Sequence, residues 1–402
     1  MENKFKFDII SSFALLSQGF IIISGLLNVY INTLYLSPTD LGLYYSLAVL
    51  ALIKELLNGG VLANYLALLV KLKGIDDLKF RQYFLYVSNY FFSLSPIIVL
   101  ISFIYVTVIL KEVDFLISIL FSLTLGIEVL TVWFYPTLEG LRKLKKLYLI
   151  RTLVYFISYV IAWIVVYKYN SLMGLVCFMF FTSFLKAIFA FTIFNKFIIF
   201  RLSHLKQPKD FLGLAKKVRI SYYSNLIHKI SIYPIINATL GLETSGAFGV
   251  ATSIFSSAST LSRELIRKNL KKYGSLSLKS SKLFYVVFKK DLIISNLLYV
   301  LLILSSVLFI TIFPEFLEIE NLKLIIIITF IYHFSYYNFG QLSHLHRINF
   351  KEPTSNFSSI YCLLTFSCIF FVNPVYFFTY LSILTVTFLL IPSIYFAKAY
   401  NK

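Results

Sequence analysis

The sequence has little charge and little that could stay in water. Asp, Glu, Lys and Arg make up 14% of its 402 residues, whereas 59% are hydrophobic and the mean hydropathy is +0.82. No soluble core can bury so large an apolar fraction, so the composition is typical of an integral membrane protein. The three cysteines fall inside apolar runs without metal or redox spacing, which predicts small buried hydrophobic residues rather than a metal or disulfide site.

Catalytic and nucleotide-binding motifs are missing as well. The sequence contains no phosphate loop of the form G-x-x-x-x-G-K-[ST], which argues against ATP hydrolysis by this chain. No Ser-His-Asp, Cys-His or paired-acid set can be assembled on one helix face. We therefore predict that the chain is not an enzyme and holds no metal.

The formal net charge of +19 is the one strong bias of the composition. A nucleic-acid-binding protein concentrates basic residues on one face, whereas here they lie in short clusters between apolar runs. Cytoplasmic loops of membrane proteins carry such clusters. We predict no nucleic-acid partner, and because alternate loops are basic, we predict that both termini are cytoplasmic.

Twelve apolar segments are long enough to cross a hydrocarbon layer about 30 Å thick, which takes about 20 helical residues. The predicted spans cover residues 9–36, 41–70, 82–110, 113–139, 147–168, 171–200, 214–240, 245–272, 283–313, 322–346, 355–373 and 375–397. The fold predicted is an all-α membrane protein with twelve transmembrane helices in two six-helix lobes, residues 1–205 and 206–402. The loops between spans are too short for an extramembrane domain.

Polar residues recur at helical spacing in spans 1, 2, 4, 7, 8 and 10, so that they share one face of each helix. The second three spans are the first three shifted by six, which indicates a six-plus-six duplication, as in many secondary transporters. The residues entering span 2 (Thr39 to Tyr44, TDLGLY) also resemble those entering span 8 (Thr244 to Phe248, TSGAF).

Charged and polar residues on these faces, together with Lys186 in span 6, are the candidate site, because ionisable residues inside a membrane usually face protein or water. The predicted substrate-binding residues are Gln18, Lys54, Asn58, Lys186, Asn225, Lys229, Tyr233, Asn237, Ser256, Arg263, His333 and Tyr337. Glu55 and Glu128 are the candidates for binding a coupling ion, Na+ or H+, and no other cofactor is predicted. Purely structural roles stay open for the candidate residues as well. These roles are hydrogen bonds between helices, snorkelling of Lys54 towards the membrane surface, and anchoring of Arg263 at the interface.

Basic residues outnumber carboxylates among these candidates, so the predicted binding surface favours an anion. The surrounding Asn, Gln, Ser and Tyr side chains offer donors and acceptors suited to hydroxyl groups. Together they predict an anionic, sugar-bearing substrate whose lipid part stays in the bilayer.

The segment SSFALLSQGFIIISGLLNVYINTLYLSPTDLGLYYSLAVLALIKELLNGG (Ser11 to Gly60) resembles the start of polysaccharide flippases of the Wzx type, in the multidrug/oligosaccharidyl-lipid/polysaccharide exporter superfamily. LEGLRKLK (Leu138 to Lys145) and SGAFGVATSIFSS (Ser245 to Ser257) extend the resemblance along the chain. Lipid II flippases of the superfamily usually have arginines in the first helix, and span 1 has none.

The resemblance implies two lobes in a V shape that work by alternating access. It implies transport of undecaprenyl-diphosphate-linked O-antigen or capsule repeat units from the inner to the outer leaflet of a bacterial inner membrane. The partners it implies are the lipid-linked oligosaccharide, membrane lipids, a polysaccharide polymerase and a chain-length regulator.

Three other functions are open from the sequence. A cation-coupled multidrug exporter of the same superfamily is the main alternative, and its coupling ion would bind Glu55 and Glu128. A membrane enzyme, either an O-antigen polymerase or an acyltransferase, conflicts with the short outside loops. A purely structural membrane scaffold leaves the aligned polar faces without a purpose.

Overall fold

The structure is a computed structural model. It describes residues 9–58, 61, 62, 65, 69, 78–108, 113–141, 143–199, 216–268, 280–312, 322–348 and 354–398. Within these ranges all regular structure is helical and no strand occurs. The predicted all-α class is confirmed.

The helices are numbered here in chain order. They are α1 (Ile9–Tyr35), α2 (Pro38–Leu50), α3 (Ile53–Asn58), α4 (Leu78–Val108), α5 (Phe115–Leu130), α6 (Phe134–Gly140), α7 (Leu144–Tyr169), α8 (Met173–Phe194), α9 (Lys216–Lys268), α10 (Ser281–Ile312), α11 (Leu322–Ile348), α12 (Ser355–Thr365), α13 (Pro374–Thr385) and α14 (Ile391–Lys398). A 3₁₀ turn (Phe366–Phe370) follows α12, and a π-helical turn (Val386–Leu390) joins α13 to α14.

Seven helical stretches in the described part of the chain are long and apolar enough to cross a membrane. They are Leu78–Val108, Phe115–Gly140, Leu144–Tyr169, Met173–Phe194, Lys282–Leu308, Leu322–Ser343 and Pro374–Lys398. Each falls on a predicted span, and together they indicate a multi-pass membrane protein. The count of twelve spans, the V-shaped lobes and the orientation of the termini stay predictions.

Local sequence signals set several helix ends. The Asp114 carboxylate caps α5 by accepting a hydrogen bond from the Leu116 backbone N–H at 2.7 Å, and the Asn373 side chain caps α13 in the same way. Asn170 ends α7 in the left-handed conformation, with φ of 46°. Helix α9 breaks at Gly241, whose φ of 85° suits glycine.

The chain divides into two compact units, Met1–Ser24 with Leu50–Ala215, and Gly25–Val49 with Lys216–Lys402. In the first unit, α5 packs against α4 and α8, and α7 packs against α8. Its core contains an aromatic cluster in which the Phe84 ring lies 4.9 Å from Trp133 and 5.4 Å from Phe194. Trp133 is in the short break between α5 and α6, so this cluster fixes the position of that break.

In the second unit, α9 packs against α10, α11 and α12, and α11 packs against α13. Helix α2 approaches the region of α9 that follows Gly241 closely. A Cβ atom on Gly42 would collide with the Leu242 carbonyl, and one on Gly246 would lie 2.9 Å from the Pro38 carbonyl oxygen. The two glycines of the repeated motif therefore meet at one contact between helices.

Candidate functional site

A buried charge cluster occupies the first unit, and three helices supply its central residues. Lys54 lies in α3, Glu128 lies in the last turn of α5, and Lys186 lies in the middle of α8. The packing of α5 against α8 brings Glu128 and Lys186 together, although 58 positions separate them in the sequence. Ser183, one turn before Lys186 on α8, faces the same carboxylate.

Glu128 joins the cluster through both carboxylate oxygens. Its Oε1 accepts a charged hydrogen bond from the Lys54 Nζ at 2.5 Å and lies 3.7 Å from the Lys186 Nζ. Its Oε2 accepts a hydrogen bond from the Ser183 hydroxyl at 3.2 Å. Charge-assisted bonds of this kind are short and strong, so the carboxylate of Glu128 gives two lysines a partner away from bulk water.

Access to the cluster is uneven. The side chain of Lys186 is 6% exposed, whereas those of Lys54 and Glu128 are 15% and 21% exposed. Glu128 and Lys54 are therefore the more accessible members of the cluster, and Lys186 is the most buried.

Further charges and rings surround these three residues. Glu55, next to Lys54, acts electrostatically on both lysines. The Lys186 Nζ lies 5.7 Å from the centre of the Tyr135 ring, and the Arg151 guanidinium lies 5.8 Å from that of Tyr155. These distances allow cation–π attraction. Lys54 and Lys186 thus balance Glu55 and Glu128 in formal charge, and Arg151 adds a cation beside Tyr155.

The second unit has its own pair of cations, each beside a tyrosine of α11. The Lys229 Nζ lies 5.4 Å from the centre of the Tyr336 ring, and the Arg263 guanidinium lies 5.8 Å from that of Tyr337. Both basic residues are exposed. Tyr337 itself is buried, stacked on Tyr299 and hydrogen-bonded to Ser295, so its ring supports Arg263 from within the core.

Other predicted residues of the second unit make contacts inside it. The Asn237 amide donates to the Ser46 hydroxyl at 2.8 Å, and Ser46 donates to the Gly42 carbonyl, which links α9 to α2. Tyr233 is buried beside Phe248. The His333 ring, on α11, stacks on Phe255 with centroids 4.4 Å apart.

The remaining candidates have fewer described contacts. Asn225 is half-buried, and Ser256 is exposed on α9. The side chains of Gln18 in α1 and Asn58 at the end of α3 lie outside the described residues. The assignment of all these positions to a substrate path stays a prediction.

Sequence reasoning missed a polar network centred on His228. The His228 Nε2 lies 3.0 Å from the hydroxyls of both Tyr332 and Tyr361, and the Tyr361 hydroxyl lies 3.2 Å from that of Thr385. His228, Tyr332 and Tyr361 are buried, so the network joins α9, α11, α12 and α13 in the core. The predicted polar face of span 7 runs from Asn225 through Lys229, and His228 lies one position off that face.

No metal site is found in the part of the chain that the structure describes. Within it, no three His, Cys, Asp or Glu side chains come together in a way that could hold a metal ion.

No protein-family profile matches the chain, and no curated protein matches it in sequence. Among the solved structures that are similar to it in fold are two MATE structures. One is a MATE in complex with MaL6, with a TM-score of 0.53 at 12% identity, covering 98% of this chain and 97% of that one. The other is a multidrug resistance MATE family transporter of the MOP superfamily in an outward-facing conformation, with a TM-score of 0.53 at 12% identity, covering 96% of each chain.

At this identity the likeness concerns the fold over nearly the whole chain. It does not single out the Wzx-type flippases that the sequence resembles. The chain has the fold of MATE transporters.

Proposed function

We propose that the protein is a secondary transporter that exports an anionic, lipid-linked oligosaccharide across the bilayer. The cargo would be an undecaprenyl-diphosphate-linked O-antigen or capsule repeat unit, moved from the cytoplasmic to the outer leaflet of a bacterial inner membrane. The MATE-type fold supports transport. The observation that carries the choice of cargo is the approach of two lysines, Lys54 and Lys186, to one oxygen of Glu128, with Arg151 acting on the adjoining Tyr135.

A diphosphate suits this cluster because it offers several charged acceptor oxygens to ammonium and guanidinium donors. The rings of Tyr135 and Tyr155, which lie beside Lys186 and Arg151, supply flat apolar faces against which a sugar could pack. In the second unit, Lys229 and Arg263 repeat the pairing of a cation with a tyrosine. We propose that these pairs are a second set of substrate-binding residues, within the second unit.

A cation-coupled multidrug exporter is the second candidate, and the fold comparison favours it, since one of the similar structures is a multidrug resistance transporter. In that function Glu55 and Glu128 would bind the coupling ion, Na+ or H+. The contacts at Glu128 oppose it, because two lysine ammonium groups already approach Oε1. A cationic drug or metal cation at this carboxylate would have to overcome their repulsion.

The partners follow from the proposed cargo. We propose that membrane lipids hold its isoprenyl chain while the protein holds its head group. A polysaccharide polymerase and a chain-length regulator would act on the delivered repeat unit.

Transbilayer movement of a fluorescent undecaprenyl-diphosphate oligosaccharide in liposomes containing the purified protein tests this function. We expect movement faster than in protein-free liposomes and at least tenfold slower with Lys54→Met, because the lysine contacts the head group. Lys168→Met is the matched control, since Lys168 is an exposed lysine at the end of α7. Wild-type movement no faster than in protein-free liposomes would exclude the function.

A further inference from the structure

The carboxylate of Glu128 occupies the position beside Lys54 and Lys186 where an anionic head group would bind. Its Oε1 contacts the ammonium groups of both lysines, at 2.5 and 3.7 Å, so it already fills the position that a phosphate oxygen would take. From these contacts we infer that Glu128 is a tethered anion that holds Lys54 and Lys186 when the site is empty and is displaced by the head group of the cargo. This inference rests on the proposed function.

The need for such an anion comes from burial. Lys186 is 6% exposed and Lys54 is 15% exposed. An ammonium group so far from water is costly without a partner. Glu128 is that partner between transport cycles, so that the site is ready for an anion.

Displacement is feasible because Glu128 is the most exposed of the three side chains, at 21%. The residues after it, Thr131 to Trp133, form the break between α5 and α6. An incoming diphosphate brings more charge and more acceptor oxygens than one carboxylate, so the exchange at Lys54 favours it. Ser183 donates to the other oxygen, Oε2, and can keep holding the carboxylate after the exchange.

The exchange also explains selection among cargoes. A neutral or cationic amphiphile cannot replace the carboxylate at the two lysines, since it would leave their charges unpaired. Glu128 therefore excludes such molecules and weakens the binding of every anion by the same competition.

Competition and ion coupling predict different results when Glu128 is neutralised. If Glu128 competes with the cargo, Glu128→Gln strengthens anion binding. If Glu128 instead serves only as a coupling-ion site, its loss leaves equilibrium anion binding unchanged or weaker.

Binding of a fluorescent farnesyl diphosphate to the purified full-length protein in detergent, followed by fluorescence anisotropy at low salt, separates these outcomes. We expect Glu128→Gln to lower the Kd about tenfold. Glu55→Gln is the matched control, because it removes one negative charge from the same cluster. It should lower the Kd about threefold at most, since Glu128 is the carboxylate that contacts both lysines.

The double variant Glu128→Gln/Lys186→Met separates the predicted effect from misfolding of the single variant and from its change in net charge. It restores the formal charge of the wild-type cluster and removes the more buried lysine, so it stays folded if Glu128→Gln alone does not. We expect it to bind the probe more tightly than wild type, which net charge alone cannot explain.

Equal or weaker binding by the folded Glu128 variants, with weaker binding by Lys54→Met, would overturn the tethered anion and leave the proposed function standing. No binding by wild type or by any variant would overturn both.

Discussion

At the scale of single residues, two lysines share one carboxylate as their partner. The Lys54 and Lys186 ammonium groups meet at the same oxygen of Glu128, and a serine holds the other oxygen. Groups connected in this way do not contribute independently to stability. The cluster should behave as one unit when any member is changed.

A double-mutant cycle measures this coupling. We expect Lys54→Met and Glu128→Gln each to destabilise the protein, because each leaves a partly buried charge with a weaker partner. The combined variant should lose less than the sum of the two, with a coupling free energy of about 1–3 kcal/mol. The measurement is equilibrium unfolding of the purified protein in mixed micelles.

Lys168→Met again serves as the control in this cycle. Because Lys168 is exposed, its replacement should change stability by less than about 0.5 kcal/mol. Additive losses for Lys54→Met and Glu128→Gln would show that the two side chains do not act together.

The sequence predicted the members of this cluster but not its pairs. The high cost of charge inside a bilayer identified Lys54, Glu128 and Lys186 as residues that avoid lipid. Which of them meet depends on where α3, α5 and α8 lie against one another, and a single sequence contains no signal for that. His228 was missed for a related reason, because its partners Tyr332 and Tyr361 come from distant helices.

At the scale of helices, glycine controls how closely α2 approaches α9. The Gly42 position faces the backbone carbonyl of Leu242, and Gly246 faces the backbone of α2. Backbone atoms cannot rotate away as a side chain can, so any Cβ at these sites forces the helices apart.

Gly42→Ala should therefore lower the thermal stability of the second unit. We expect a loss of about 1–3 kcal/mol from overpacking, measured as a lower melting temperature of the purified protein in detergent. The loss should exceed the small gain in helix propensity that alanine brings, about 1 kcal/mol at most.

Gly19→Ala is the matched control for this substitution. Gly19 is also helical, in α1, and apart from its chain neighbours and its own helix backbone no described atom lies within 4 Å of the position that a Cβ on this residue would take. Its replacement should leave the melting temperature unchanged or raise it. A Gly42→Ala protein as stable as Gly19→Ala would contradict the close contact.

Hydropathy predicted where the long helices lie, and the repeated glycine motif predicted a duplication. Each of the seven long apolar helices lies on a predicted span, since burial in lipid leaves a continuous apolar run in the sequence. The motif pointed to a duplication but not to a contact between its copies. That contact depends on packing at Gly42 and Gly246, which the spacing of residues along the chain does not encode.

At the scale of the whole molecule, the fold and the site give different information about the cargo. The MATE-type fold extends over nearly the whole chain. Proteins that share a fold can carry different molecules, so the cargo must be argued from the site. Here two lysine ammonium groups approach one oxygen of Glu128, which favours an anionic cargo over a cationic drug.

Charge selectivity of transport tests this account most directly. The measurement compares two fluorescent amphiphiles with the same alkyl chain, one with a phosphate head group and one with a trimethylammonium head group, in the same proteoliposomes. We predict that the phosphate compound crosses faster and that Lys54→Met removes the difference. Faster transport of the trimethylammonium compound, driven by a proton or sodium gradient, would contradict the account and assign the protein to cation-coupled drug export.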